Sequence, residues 1–150
     1  MPTATEAVMA GFTSTYLTTL GFTPEAATWV LASHWVGVIA GRLAFGSRVD
    51  RAKGRAITIA GLGGAAGVLV FVTASSTTAL AVTPFVIGVA IAVVVPTALA
   101  LGGERYPQSA GTLFGLLLTV AQAAAMIVPG LVGMVAEAAS VRVAMSIIVV

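Results

Sequence analysis

Residues 56–103 contain no Asp, Glu, Lys or Arg, and residues 106–136 again contain none. A soluble domain, in which about a quarter of residues are charged, does not leave such lengths of chain without charge. Each gap is long enough for at least one membrane span of about 20 residues, and the first is long enough for two. Of the 150 residues 59% are hydrophobic and 8% charged, with a mean hydropathy of +1.09. The expected fold is therefore an all-α integral membrane protein, because helices satisfy their backbone polar groups internally when water is absent.

Against that background the stretch from Gly41 to Arg55 stands out, with five of the seven basic residues and one of the five acids. Charge squeezed between two apolar runs reads as a short water-facing turn whose sign sets membrane orientation. The predicted pI near 9.7 comes from a net charge of only +2. With no basic stripe elsewhere, no nucleic-acid partner is expected. The absence of cysteine excludes disulfides, thiol catalysis and Cys-based metal sites. No basic region precedes the first apolar stretch, so no cleavable signal peptide is expected.

Six segments are expected as a single transmembrane domain over residues 1–150, at about 4–20, 24–47, 56–74, 79–101, 110–136 and 141–150. The first is short and carries Thr13, Ser14, Thr15, Thr18 and Thr19. Gly21 to Pro24 should end it, glycine suiting a helix stop and proline the first turn of the next. The second holds Trp29, His34 and Trp35, with Glu25 favourably placed in its first turn. In the third, Gly61, Gly63, Gly64 and Gly67 permit close helix contact. In the fourth, Pro84 and Pro96 imply kinks. Residues 102–109 make a second polar turn, and the fifth contains Pro129. The sixth stops after about half a span, so the chain is expected to be trimmed.

Because successive turns alternate sides, the basic turn and the Glu104 turn share one side, with Arg42, Arg48, Arg51, Lys53, Arg55 and Arg105 against Arg142 on the other. The positive-inside rule then places the basic turn and both termini in the cytoplasm, with the plasma membrane as the expected location.

The run Gly46-x-x-x-Asp50-Arg51-x-x-Gly54-Arg55 resembles the signature Gly-x-x-x-Asp-Arg-x-Gly-Arg that links the second and third helices of each half in the major facilitator superfamily. It has one residue more, since Ala52 and Lys53 stand where one is usual. Glu6, Tyr16-Leu17, Gly21-Phe22, Trp35-Val-Gly37 and Gly41-Arg42 resemble the series found in sugar- and fucose-permease-like members. Glu104-Arg105-Tyr106-Pro107, with Gly111 and Gly115, resembles the turn between the fourth and fifth helices of a half, in its C-terminal form. The resemblance implies one six-helix half of a secondary transporter, its first and last helices truncated. It further implies alternating access for a small solute, a coupled proton or cation, and a second half or a homodimer as partner.

On that resemblance Gly46, Asp50, Arg51, Gly54, Arg55, Arg42, Glu104 and Arg105 form a cytoplasmic gate, against the plainer reading of orientation charges and weak loop ion pairs. Arg42 either pairs with an acid such as Glu104 or snorkels to headgroups. Four residues are candidates for a substrate or proton path. Glu6 shares a face with Thr13 and roughly Tyr16, and an acid turned into a bundle is a default functional site. It could equally be solvated at the interface. His34 lies on a small-residue face with Gly37 and Gly41, where it is a relay or a hydrogen-bonded structural group. Gln122, on one face with Gly115, Thr119, Met126 and Pro129, must meet protein or a water-filled cavity because hydrocarbon would leave its amide unsatisfied. Trp29 reads as an interfacial anchor. With a single histidine and no nucleophile–base pair or metal-ligand cluster, neither an enzyme nor a cofactor is expected. A non-transporting membrane-embedded fragment or interaction subunit is the other reading.

Overall fold

The computed structural model describes residues 2–49 and 52–146. The described residues form seven α-helices and one short 3₁₀ turn: α1 (Pro2–Thr19), α2 (Pro24–Phe45), α3 (Lys53–Thr73), α4 (Thr77–Ile91), α5 (Val94–Arg105), the 3₁₀ turn Pro107–Ser109, α6 (Ala110–Ala138) and α7 (Val141–Ser146). Among the described residues, three spans are long and apolar enough to cross a membrane: α3, the α4–α5 pair taken together, and the 3₁₀ turn with α6. Those three coincide with the sequence's charge-free gaps. Helices α1 and α2 have comparable lengths but carry Glu6, the threonines, His34 and Arg42.

Helix ends follow local chemistry. Gly21 closes α1 with φ of 92°, the one left-handed residue among those described, and glycine takes that conformation without a Cβ penalty. Thr23 then caps α2, its hydroxyl accepting from the Ala26 amide at 3.2 Å, and Pro24 occupies the first helical position. Helix α3 starts at Lys53, three residues ahead of the expected Ala56, so the closing Gly54-Arg55 of the basic stretch is helical. Gly46 has φ −51° and ψ −46°. It extends the helical path of α2 and uses none of glycine's extra freedom.

The expected fourth segment is two helices, because residues 92 and 93 form a turn between α4 and α5. Pro96 explains its position: proline has no N–H, and its ring crowds the carbonyl four residues earlier, which is that of Ala92. Pro84, by contrast, lies inside α4, which runs on past it.

The main core joins α1, α2, α3, α4 and α7 through Met9, Tyr16, Leu17, Val30, Phe71, Ile87 and Met145. The α2–α4 crossing is closer than ordinary side chains allow. A Cβ on Gly37 would strike the Phe85 carbonyl, one on Gly88 would strike the His34 carbonyl, and one on Gly41 would fall 2.7 Å from both the Val89 oxygen and the Ala92 Cβ. Small residues allow the two backbones to touch, the packing that replaces the hydrophobic effect between helices in lipid. A smaller core joins Val8, Val132 and Ala144, fastening the far end of α6.

Candidate functional site

The polar groups fall into two sets, one at the basic turn and one at the opposite end of the bundle. At the basic turn, the Lys53 ammonium donates to Glu104 Oε1 at 2.6 Å, an ion pair joining the start of α3 to the end of α5. Lys53 is one of the two residues, Ala52 and Lys53, that stand where the signature has one, and it supplies the cation that ties the two polar turns together. Arg42 is not the partner of Glu104. Its Nε donates to the Ala92 carbonyl over a long 3.4 Å, the oxygen that Pro96 has deprived of a helical partner. Glu6 is partly buried near the start of α1. Arg55, Gly54 and Arg105 are exposed. Arg48, in the turn after α2, donates to the Ala44 carbonyl in the last turn of that helix. Asp50 and Arg51, two of the expected gate residues, lie outside the described residues.

At the opposite end, the buried Tyr16 hydroxyl donates to the Val72 carbonyl at 3.2 Å and accepts from Arg142 Nε at 3.2 Å. Val72 lies in the last turn of α3, where carbonyls lack intrahelical partners. Tyr16 thus caps α3 from α1 while receiving a cation from α7. The Tyr16 ring also meets Phe71 edge-on, with centroids 5.4 Å apart. Sequence reasoning missed this arrangement. Its one available signal was Arg142, the sole cation on that side.

Between the two ends, His34 is fully buried. Its Nδ1 lies 3.0 Å from the Pro84 carbonyl, and because a carbonyl can only accept, Nδ1 carries the proton. Nε2 is then an acceptor, and it has no partner among the described residues. Trp29 and Trp35 turn outward, 76% and 43% exposed.

Gln122 is exposed. It lies in the middle of α6, between an end held by α5, where Gly102 and Gly103 approach Leu113 and Phe114, and the end packed on α1 and α7. Leu116, Leu118, Val120, Met126 and Ile127 are exposed around it. The four path candidates are therefore dispersed. Tyr16 is tied to α3 and α7, His34 faces α4, Glu6 lies partly buried near the start of α1, and Gln122 stands on a bare face.

The family model described as Major Facilitator Superfamily matches residues 2–150. No curated protein and no solved structure matches the chain significantly.

Proposed function

Because the chain belongs to the major facilitator superfamily, we propose that it forms one six-helix bundle of a secondary transporter that moves a small polar solute by alternating access, coupled to a proton or cation. The observation that carries the reading is α6. Its apolar span is almost wholly uncovered by the rest of the chain, yet it carries an exposed amide at Gln122 that hydrocarbon would leave unsatisfied. A second bundle, either another six-helix half or a second copy, covers that face and encloses the solute path between the two. The Lys53–Glu104 pair then acts as part of a gate on the cytoplasmic side, with both termini on that side and the plasma membrane as the site of action. Asp50, Arg51, Gly46, Gly54, Arg55 and Arg105 belong to the same gate, and Glu6, Tyr16, His34 and Gln122 are the candidates for the path.

The test is uptake by proteoliposomes across an imposed proton gradient, with a panel of sugars and other small organic solutes. Saturable, gradient-dependent uptake that Glu104→Gln and Gln122→Leu reduce is expected. No uptake from any solute, with the second bundle present as a crosslinked dimer or a co-expressed half, would refute it. The competing reading, a non-transporting interaction subunit, draws on the engagement of Tyr16 and His34 in bonds between helices. Under it the α6 face still binds a partner, but no solute moves.

A further inference from the structure

A groove of roughly 530 Å³ runs between α2, α3 and α4 at the basic-turn end. Its walls are apolar, with Phe45, Ile59 and Val93 among them, and its rim carries two cations, Arg48 and Arg55. Ile59 is 67% and Phe45 44% exposed, so the groove opens sideways, where a membrane helix meets lipid. The floor is where α3 and α4 come close, a Cβ at Gly63 lying 3.5 Å from that of Ala90. Among the described residues, no Asp or Glu lines the groove. Glu104 lies in an adjoining depression that shares Ala52 and Arg55 with the groove, where Lys53 engages it. Arg55 has no hydrogen bond or ion pair among the described residues, and Arg48 uses one nitrogen on the Ala44 carbonyl at the end of α2.

From this geometry we infer that the groove holds one anionic phospholipid of the surrounding leaflet, its phosphate between Arg48 and Arg55 and an acyl chain along Ile59, Gly63 and Val93. Three features select that occupant. The mouth faces the bilayer, so the chain need not leave hydrocarbon to enter. The volume falls within the range of small-molecule sites. Paired guanidinium groups at the headgroup level suit a phosphate, which arginine grips with a planar fork. Basic pockets between helices near the membrane surface bind acidic headgroups on the same principle.

Native mass spectrometry of the full chain released from detergent tests the inference, with phosphatidylglycerol and phosphatidylcholine of identical acyl chains as probes. The unaltered protein should retain phosphatidylglycerol at least about tenfold better, each surface arginine being worth about fivefold. Arg55→Gln should lower that retention about fivefold and Arg48→Gln/Arg55→Gln about 25-fold, while Arg105→Gln leaves it unchanged. Gly63→Leu, which fills the floor from the exposed side, should weaken both lipids alike. Millimolar inorganic phosphate should not displace the lipid. Equal retention of the two lipids by the unaltered protein would overturn the inference without any variant having to fold. So would retention that survives loss of both arginines, or displacement by free phosphate.

Discussion

Replacing Gly88 by alanine adds one methyl group at the narrowest point of the bundle. The new carbon would press on the His34 carbonyl oxygen and lie 3.0 Å from the Val38 nitrogen and 3.1 Å from the His34 carbon. Backbone cannot rotate aside as a side chain can, so α2 and α4 must separate by about 1 Å, forfeiting up to about half of the dispersion energy of each contact across the seam. Overpacking of this kind costs about 1–3 kcal/mol. Separation also stretches the 3.0 Å bond from His34 Nδ1 to the Pro84 oxygen, and a buried donor left without its acceptor costs about 1–3 kcal/mol. The sum, about 2–6 kcal/mol, corresponds to a fall in melting temperature on the order of 10 °C for a chain of this size. Circular dichroism melts of the detergent-solubilised protein measure it. Gly61→Ala is the internal control, since a Cβ there meets nothing within 4 Å, and it should melt at or slightly above the unaltered protein. Because His34→Ala removes the same hydrogen bond, Gly88→Ala and His34→Ala together should cost about 1 kcal/mol less than their sum. Equal melting of Gly88→Ala and Gly61→Ala, or strict additivity with His34→Ala, would refute the argument.

Tyr16→Phe leaves the Val72 carbonyl and the Arg142 guanidinium without their shared hydroxyl, and should lower stability by about 1–2 kcal/mol in the same melts. Lys53→Gln should cost less than about 1 kcal/mol, because the Glu104 side chain is 61% exposed and exposed pairs contribute little. A Lys53→Glu/Glu104→Lys exchange should restore whatever Lys53→Gln removes from transport. Pro96→Ala should return a helical partner to the Ala92 carbonyl and carry the helix through residues 92 and 93. Arg42→Gln should then matter less in the alanine background than in the proline one, as a double-mutant cycle on melting temperature would register. Gln122→Leu should leave the melt of the separate bundle within about 0.5 kcal/mol, as expected for an exposed position, while weakening dimer crosslinking through α6.

How legible all this was in the sequence depended on which physical signal each element carries. Charge-free length marks α3, α4–α5 and α6 directly, because span length is set by the bilayer and not by the rest of the fold. Helix stops with their own chemistry, Gly21 and Thr23-Pro24, were equally readable. The break at residues 92–93 was harder to place: two prolines announced kinks, but the chain turns four residues before one of them and tolerates the other inside α4. The small-residue face of His34, Gly37 and Gly41 was visible by spacing, whereas its partner Gly88 was not, being one glycine in an apolar run. Least legible were the pairings. Lys53 read as an irregularity in a signature and turned out to hold Glu104, a relation of residues 51 positions apart that no local pattern encodes. Tyr16, Val72 and Arg142 are farther apart still in the sequence.

The short helix α5 is attached at both of its ends to cations that the basic stretch supplies. Arg42 reaches the carbonyl just before its first turn, and Lys53 grips Glu104 in its last. With the break at residues 92–93 uncoupling it from α4, this 12-residue rod, about 18 Å long, is suspended from the α2–α3 hairpin like a beam on two hangers. A displacement of the basic turn would therefore tilt α5 as a unit and move the first turn of α6 that packs on it, leaving the glycine seam of α2 and α4 undisturbed.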